Sequence, residues 1–101
     1  MALELTTKKD GTKLAVILNG ELNTMTAPDL NALLDAELPE AESLCLDFAG
    51  CDFVSSAGLR VLLAAFKSLK AKDGQMELQN IGPGFREVLT ITGLDAVFGC
   101  E

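Results

Sequence analysis

One helical segment limits the folds open to this chain more than any other feature. From near Ser56 to about Lys72, large apolar residues recur at intervals of three and four, which is the spacing of one helix face. Most of the other positions are small, polar or charged, so this helix has one apolar stripe to bury. Such a stripe packs on a second layer of structure, which we expect to be a β-sheet. The stripe consists of Leu59, Leu62, Leu63, Phe66 and Leu69.

A pair of serines opens this helix. A serine oxygen at the N-cap accepts a hydrogen bond from a backbone N–H that has no partner within the helix. The neighbouring hydroxyl then points outward at the positive end of the helix dipole. The sequence leaves open which of Ser55 and Ser56 is the cap. It indicates that one serine is structural and that the other is available for chemistry.

The chain begins with two strands that should form a hairpin. Asp10 and Gly11 are a dipeptide typical of tight β-turns, and apolar residues lie on both sides of them. The second strand, residues 14–18, is apolar at nearly every position. This predicts a central strand that is covered on both faces.

Helices then alternate with strands. Thr26 is a candidate cap for a helix over residues 27–37, which a proline terminates. A buried strand over residues 44–48 follows. Because a whole helix separates it from the strand before, the two strands should be parallel. Gly50 is expected to end that strand, with residues 52–55 forming a loop before the main helix.

The last third of the chain repeats this alternation. Asp73 and Gly74 should form a turn in which the glycine takes the left-handed conformation. Residues 76–79 alternate apolar and polar, as in a strand near the edge of a sheet. A glycine-rich turn over residues 82–84 and a short helix over residues 85–92, closed by a glycine, follow. The order β-β-α-β-α-β-α predicts an α/β fold with helices packed on a mixed sheet of four or five strands.

Charge and composition exclude several classes of function. The chain has 101 residues, which is the size of one domain. Its net charge of −7 argues against nucleic-acid binding, which depends on lysine and arginine neutralising phosphates. No apolar run reaches the about 20 residues that cross a bilayer, and the N-terminus lacks the order of a signal peptide. We therefore expect a cytoplasmic protein of one domain, residues 1–101, without membrane insertion.

Neither a metal site nor an enzyme active site is expected. The chain has 3 cysteines without paired spacing and no histidine, which excludes the usual transition-metal ligand sets. We interpret Cys45 as a core residue. Asp47 and Asp52 could hold a cation beside a phosphate, but the first should end a strand and the second should be solvated. Without histidine or a Ser-x-x-Lys spacing, no base is placed to activate a serine, so we predict no catalytic residue and no cofactor.

Two segments resemble the signature segments of STAS domains, in particular those of bacterial anti-anti-sigma factors (anti-sigma factor antagonists). CDFVSSAGLRVLL, residues 51–63, is similar to the family's Asp-Ser-Ser/Thr-Gly-Leu motif, with Ser55 in the place of the acid. GELNTMTA, residues 20–27, is similar to the family's Gly-Glu-Leu-Asp segment, with Asn23 where aspartate is usual. The resemblance extends over nearly the whole chain and implies the STAS fold. The further C-terminal helix usual in that family should be short or absent, because only residues 94–98 remain to form it.

The resemblance implies a function in partner switching. In that family the serine after the acidic position is phosphorylated by a partner that is both anti-sigma factor and kinase, and this position falls on Ser56. The unmodified form binds the anti-sigma factor and frees a sigma factor, phosphorylation ends the binding, and a serine phosphatase restores it. The residues expected at the partner surface are Glu21, Asn23, Thr24, Thr26, Ser55, Ser56, Ala57, Gly58 and Arg60.

Two other interpretations stay open. The chain could be a STAS subunit of another assembly, such as a lipid transport complex or a stressosome, in which Ser56 is only a helix cap. It could also be a small-ligand carrier or an enzyme that uses the same loop. Neither the sigma factor nor the signal follows from the sequence.

Overall fold

The computed structural model describes residues 3–98. The strands are β1 (Glu4–Asp10), β2 (Lys13–Leu22), β3 (Ser43–Val54) and β4 (Gln75–Gln79), and the helices are α1 (Ala27–Glu37), α2 (Ser56–Lys70), α3 (Pro83–Thr92) and α4 (Leu94–Phe98). A short 3₁₀ turn, Leu38–Glu40, follows α1. This order confirms the predicted α/β fold, and the last described helix is short, as expected.

The described strands form one mixed sheet of 4 strands in the order β1-β2-β3-β4. β1 and β2 are antiparallel, with Asp10 opposite Lys13 next to the turn. Gly11 adopts a φ of +62° in that turn, a conformation that favours glycine. The β2–β3 and β3–β4 pairs are parallel. The predicted hairpin, the parallel pair across α1 and the edge position of β4 are therefore confirmed.

The hydrophobic core lies on one face of this sheet. In β2, Leu14, Val16 and Leu18 are buried, whereas Ala15 and Ile17 between them are only half-buried. Alternation places these two sets on opposite faces of the strand. The prediction that β2 is covered on both faces is therefore wrong, although its central position is confirmed. The reason is that the helices and the sheet build one buried cluster, which leaves the second face open.

The cysteine predicted to lie in the core is not the buried one. Cys45 alternates with buried leucines and is half-buried on the open face, with its Sγ 3.8 Å from Oε1 of Glu77. Cys51 is the core cysteine, with 1% of its surface exposed. Burial raises the pKa of the Cys51 thiol, so it packs as a neutral side chain. Cys100 lies outside the described residues.

β3 is longer than predicted. Gly50 does not end the strand, which continues to Val54. Gly50 pairs with Asn19 of β2 next to a shift in register. A Cβ added to Gly50 would come 2.5 Å from Oδ1 of Asn19, so this glycine permits close strand packing instead of a break. Most of the predicted loop over residues 52–55 is therefore strand, and α2 follows almost directly.

The turn after α2 also differs from the prediction. α2 ends at Lys70, and the residue in the left-handed conformation is Asp73, with a φ of +58°, instead of Gly74. Gly74 serves a different purpose, because a Cβ there would come 2.6 Å from the carbonyl oxygen of Glu42. The glycine is needed for close approach between two backbone segments.

The predicted glycine-rich turn is the beginning of α3. Gly82 is its N-cap and Pro83 its first residue, a position where proline is well tolerated. Phe85 and Leu89 are buried and attach α3 to the core. Gly93 ends the helix with a φ of +78°, as the sequence predicted.

Candidate functional site

The two serines at the start of α2 have different surroundings. Ser55 is the N-cap, and its Oγ accepts a hydrogen bond from the N–H of Gly58 at 3.3 Å. Ser56 is the first residue of the helix and is exposed, and its hydroxyl makes no hydrogen bond within residues 3–98. Ser55 is therefore the structural serine, and Ser56 is the one that remains accessible.

The end of β2 holds this serine pair in place. The N–H of Ser55 donates a hydrogen bond to the carbonyl oxygen of Leu22 at 2.8 Å. A Cβ added to Gly58 would come 2.7 Å from Cγ of Leu22, so only glycine permits this close approach of α2 to β2. Leu22 itself is fully buried. The start of α2 is thus attached directly to the core.

The loop between β2 and α1 is closed by its own side chains. The Oγ1 of Thr26 donates to the carbonyl oxygen of Glu21 at 2.7 Å and accepts from the N–H of Asn23 at 2.8 Å. The Oδ1 of Asn23 accepts from the N–H groups of Met25 at 2.9 Å and Thr26 at 3.0 Å. Thr26 stands at the N-cap position of α1, but its side chain makes no capping bond. The predicted cap is therefore wrong, because the hydroxyl is used inside the loop.

The structure brings both predicted segments to the carboxyl ends of β2 and β3. Glu21 pairs with Phe53, and Leu22 pairs with Val54, so the two loops lie side by side. Thr26 and Gly58 are buried and support the surface from beneath. The accessible members of the predicted set are Thr24, Ser56 and Arg60, which are exposed, and Glu21, Asn23, Ser55 and Ala57, which are half-buried.

Two exposed apolar side chains flank these loops and are absent from the predicted set. Met25 is 84% exposed and Phe53 is 54% exposed. Exposed side chains of this kind are typical of protein-binding surfaces, in which Met and Phe are enriched. The sequence contains a signal for them, since both are large apolar residues within segments predicted to be loops.

A groove of about 960 Å³ lies at the opposite end of the sheet from Ser56. It is lined by residues near the amino ends of the parallel strands, among them Lys13, Ser43 and Gln75. In parallel sheets the loops at the carboxyl ends are the usual binding edge, and the serine pair stands at that edge. The groove is therefore separate from the serine loops.

The fold and the placement of the serine pair define a class of protein. The family model described as Mlab, STAS domain matches residues 5–99. The chain belongs to the STAS domain family, which confirms the resemblance found in its two signature segments. Within the part of the chain that the structure describes, no helix is long and apolar enough to span a membrane.

Relatives of the chain carry the name anti-sigma factor antagonist. One relative is BtrV of Bordetella bronchiseptica, which is provisionally named an anti-sigma factor antagonist. The two sequences are 36% identical over 97 residues, which cover 95% of this chain and 84% of that protein. A crystal structure of an anti-sigma factor antagonist from Mycobacterium paratuberculosis has a TM-score of 0.82 at 26% identity, over 97% of this chain and 84% of that one. The Bacillus cell fate determinant SpoIIAA in its phosphorylated form has a TM-score of 0.76 at 21% identity, over 92% of this chain and 86% of that one, and this likeness concerns the fold alone.

Proposed function

We propose that this chain is an anti-sigma factor antagonist that binds an anti-sigma factor with serine kinase activity, and that phosphorylation of Ser56 ends the binding. The observation that carries the proposal is the division between the two serines. The oxygen of Ser55 caps α2, while the hydroxyl of Ser56 is exposed and has no hydrogen bond within residues 3–98. Further support comes from the names of the relatives and from SpoIIAA, a protein of this fold that has been solved in a phosphorylated form.

The proposed partner surface combines the β2–α1 loop with the start of α2. Met25 and Phe53 supply exposed apolar area, while Glu21 and Arg60 supply charges of both signs. An apolar centre with a polar rim is the usual anatomy of a specific protein interface. The net charge of −7 favours encounter with a partner whose surface is basic.

Phosphorylation would act at the interface and leave the fold intact. A phosphate adds about −1.5 to −2 charges, and on Ser56 it would lie at the N-terminal end of α2, where unpaired N–H groups and the helix dipole favour an anion. α2 has no acidic residue in its first turn that would repel this charge. In a bound complex, however, the phosphate would have to lose its water within the interface, which costs on the order of several kcal/mol.

The test is phosphorylation and binding with the serine kinase anti-sigma factors of the same organism. Purified chain is incubated with each kinase and ATP, the phosphate is located by mass spectrometry, and affinity is measured before and after. We expect one phosphate on Ser56 and loss of binding. Ser56→Ala should bind the partner and take no phosphate, Ser56→Asp should bind poorly, and the matched control Ser55→Ala should still be phosphorylated. A phosphate on another residue, or binding that survives phosphorylation, would contradict the proposal.

The same materials test the remaining parts of the proposal. A serine phosphatase added to the phosphorylated chain should restore partner binding. A STAS subunit of another assembly would bind none of these anti-sigma factors and would remain unmodified at Ser56. A small-ligand carrier would instead show a rise in melting temperature in a screen of nucleotides and lipids, without any protein partner.

A further inference from the structure

The second half of β3 lies beyond the end of β4. β4 pairs with β3 only over Ser43–Asp47, whereas β3 continues to Val54. β2 supports this second half on one side. On the core side α3 contacts it, and the ring centroids of Phe48 and Phe85 lie 4.7 Å apart. β4 is too short to support the second half of β3, which leads to the serine pair. α3 supports this segment instead.

Asp52 makes the polar contact between this strand segment and α3. Its Oδ1 accepts a hydrogen bond from the N–H of Phe85 at 3.1 Å. Two glycines let the carboxylate approach, since a Cβ at Gly84 would come 2.8 Å from Oδ2 of Asp52 and a Cβ at Gly82 would meet Oδ1. A carboxylate at the start of a helix is stabilised by the unpaired N–H groups there. Asp52 is exposed, as the sequence suggested, but it is bonded to α3 instead of being only solvated.

We propose that Asp52 is a positioning residue for the partner-binding surface, holding the end of β3 against α3. This inference rests on the function proposed above. Asp52 directly precedes the exposed Phe53, and the cap residue Ser55 follows shortly after. Each strand residue advances the chain by about 3.3 Å, so Asp52 and Ser55 are at most about 10 Å apart along the chain. A displacement of Asp52 should therefore also displace the serine pair.

Three variants separate positioning from other roles. Asp52→Ala removes the acceptor for the N–H of Phe85, whereas Asp52→Asn keeps an acceptor oxygen and removes the charge. The matched control is Asp47→Ala. Asp47, like Asp52, is a carboxylate of β3 that accepts hydrogen bonds, in this case two. It lies in the first half of the strand, which pairs with β4.

Two measurements are made on each variant. Amide hydrogen exchange is followed at Phe85, which bonds to Asp52, and at Gly58, which bonds to the cap oxygen of Ser55. Both rates are compared with the rate at the core residue Leu46, so that global destabilisation cancels. Affinity is measured against the anti-sigma factor found by the experiment above.

We expect Asp52→Ala to speed exchange at both Phe85 and Gly58 and to weaken partner binding by up to about tenfold, because binding must then restore a geometry that the hydrogen bond held beforehand. Asp52→Asn should stay close to the wild type in both measurements. Asp47→Ala should leave exchange at Phe85 and Gly58 and the affinity unchanged.

Two outcomes would overturn the proposal. Faster exchange at Phe85 alone would show that Asp52 only caps α3. Weak binding by Asp52→Asn with normal exchange would show that the partner contacts the charge directly. If no anti-sigma factor binds the wild type, the proposed function fails, and the exchange at Gly58 still decides by itself whether Asp52 positions the serine pair.

Discussion

Hydrogen bonding assigns different tasks to two adjacent residues of the same type. Ser55 uses its oxygen to satisfy the N–H of Gly58, while Ser56, one position later, has no such use within the described chain. A similar division holds in the neighbouring loop, where Asn23 and Thr26 are occupied by internal bonds and Thr24 is left exposed. At this scale, accessibility separates the candidate functional residues from their supports.

The cap can be tested by changing Ser55. Ser55→Ala should lower the free energy of unfolding by about 1 kcal/mol, because the N–H of Gly58 loses its acceptor, whereas Ser55→Asp should leave it nearly unchanged. Unfolding in urea measures both variants. The control Ser68→Ala, at an exposed position of α2, should stay within about 0.5 kcal/mol of the wild type. An Ser55→Ala variant as stable as the wild type would show that the bond contributes nothing.

Ser55→Asp also restores the residue usual in the family at that position. If the kinase recognises this acid, the variant should be phosphorylated on Ser56 faster than the wild type. Initial rates at several kinase concentrations measure this effect. Unchanged kinetics would remove any role for the acid.

Side-chain hydrogen bonds tie two loops to the elements beneath them, the β2–α1 loop of the candidate surface and the β4–α3 loop outside it. The hydroxyl of Thr26 joins the end of β2 to the start of α1 through its bonds to Glu21 and Asn23. The carboxylate of Asp47 joins β3 to the residue after β4, with its Oδ1 2.9 Å from both the Nδ2 of Asn80 and the N–H of Ala49. Substitutions at Thr26 and Asp47 can remove these hydrogen bonds without removing apolar packing.

Thr26→Val keeps the shape of a buried side chain and removes the hydrogen bonds of the hydroxyl within the loop. The variant leaves the N–H of Asn23 without its acceptor, so we expect a loss of about 1 to 3 kcal/mol in unfolding free energy and weaker partner binding. Thr24→Val, at the exposed neighbour, should leave the unfolding free energy unchanged. Equal stability of the two variants would mean that water replaces the hydroxyl of Thr26 without cost.

The hydrogen bonds to Asp47 predict that the free energy of unfolding depends on pH. Hydrogen bonds from the side chain of Asn80 and from the N–H of Ala49 hold the pKa of the Asp47 carboxyl below its usual range. The carboxylate therefore stabilises the fold at pH values above the ordinary pKa of about 3.9, and this contribution is lost as the pH falls through the lowered value. Asp47→Asn should be less stable than the wild type at pH 6, with a difference that shrinks towards pH 2 to 3, as measured by urea unfolding at each pH. A difference that is independent of pH would contradict this assignment.

On the scale of the whole molecule, the core occupies one face of the sheet and the candidate surface occupies one end of it. The serine pair stands at the carboxyl ends of β2 and β3, next to the core residues Leu22 and Val54, and the side chain of Ser56 is exposed. A charge added to Ser56 therefore meets solvent and a helix N-terminus, and it does not enter the core.

Phosphorylation of Ser56 should accordingly leave the melting temperature nearly unchanged while partner binding is lost. The helix dipole favours the phosphate by about 0.3 to 1 kcal/mol, and the first turn of α2 has no acidic residue to repel it. Thermal unfolding of modified and unmodified chain is compared with a binding titration on the same samples. A clear fall in melting temperature on phosphorylation would replace this surface mechanism with one based on local unfolding.

Features that depend only on neighbours along the chain follow from the amino-acid sequence. The spacing of the leucines specified α2, the Asp10–Gly11 pair specified the first turn, and Gly93 specified the end of α3. These features follow local rules of helix periodicity, turn conformation and helix termination. The two signature segments likewise indicate the family through residues that are close together in the sequence.

Features that depend on residues far apart in the sequence arise from tertiary contacts. Gly50 continues β3, where it pairs with Asn19 of β2, and Cys51 is buried because it lies on the face of the sheet that the helices cover. The bond from Asp52 to Phe85 joins residues 33 positions apart. Periodicity and propensity describe a residue and its chain neighbours, so they contain no information on which distant backbone will stand opposite a given side chain.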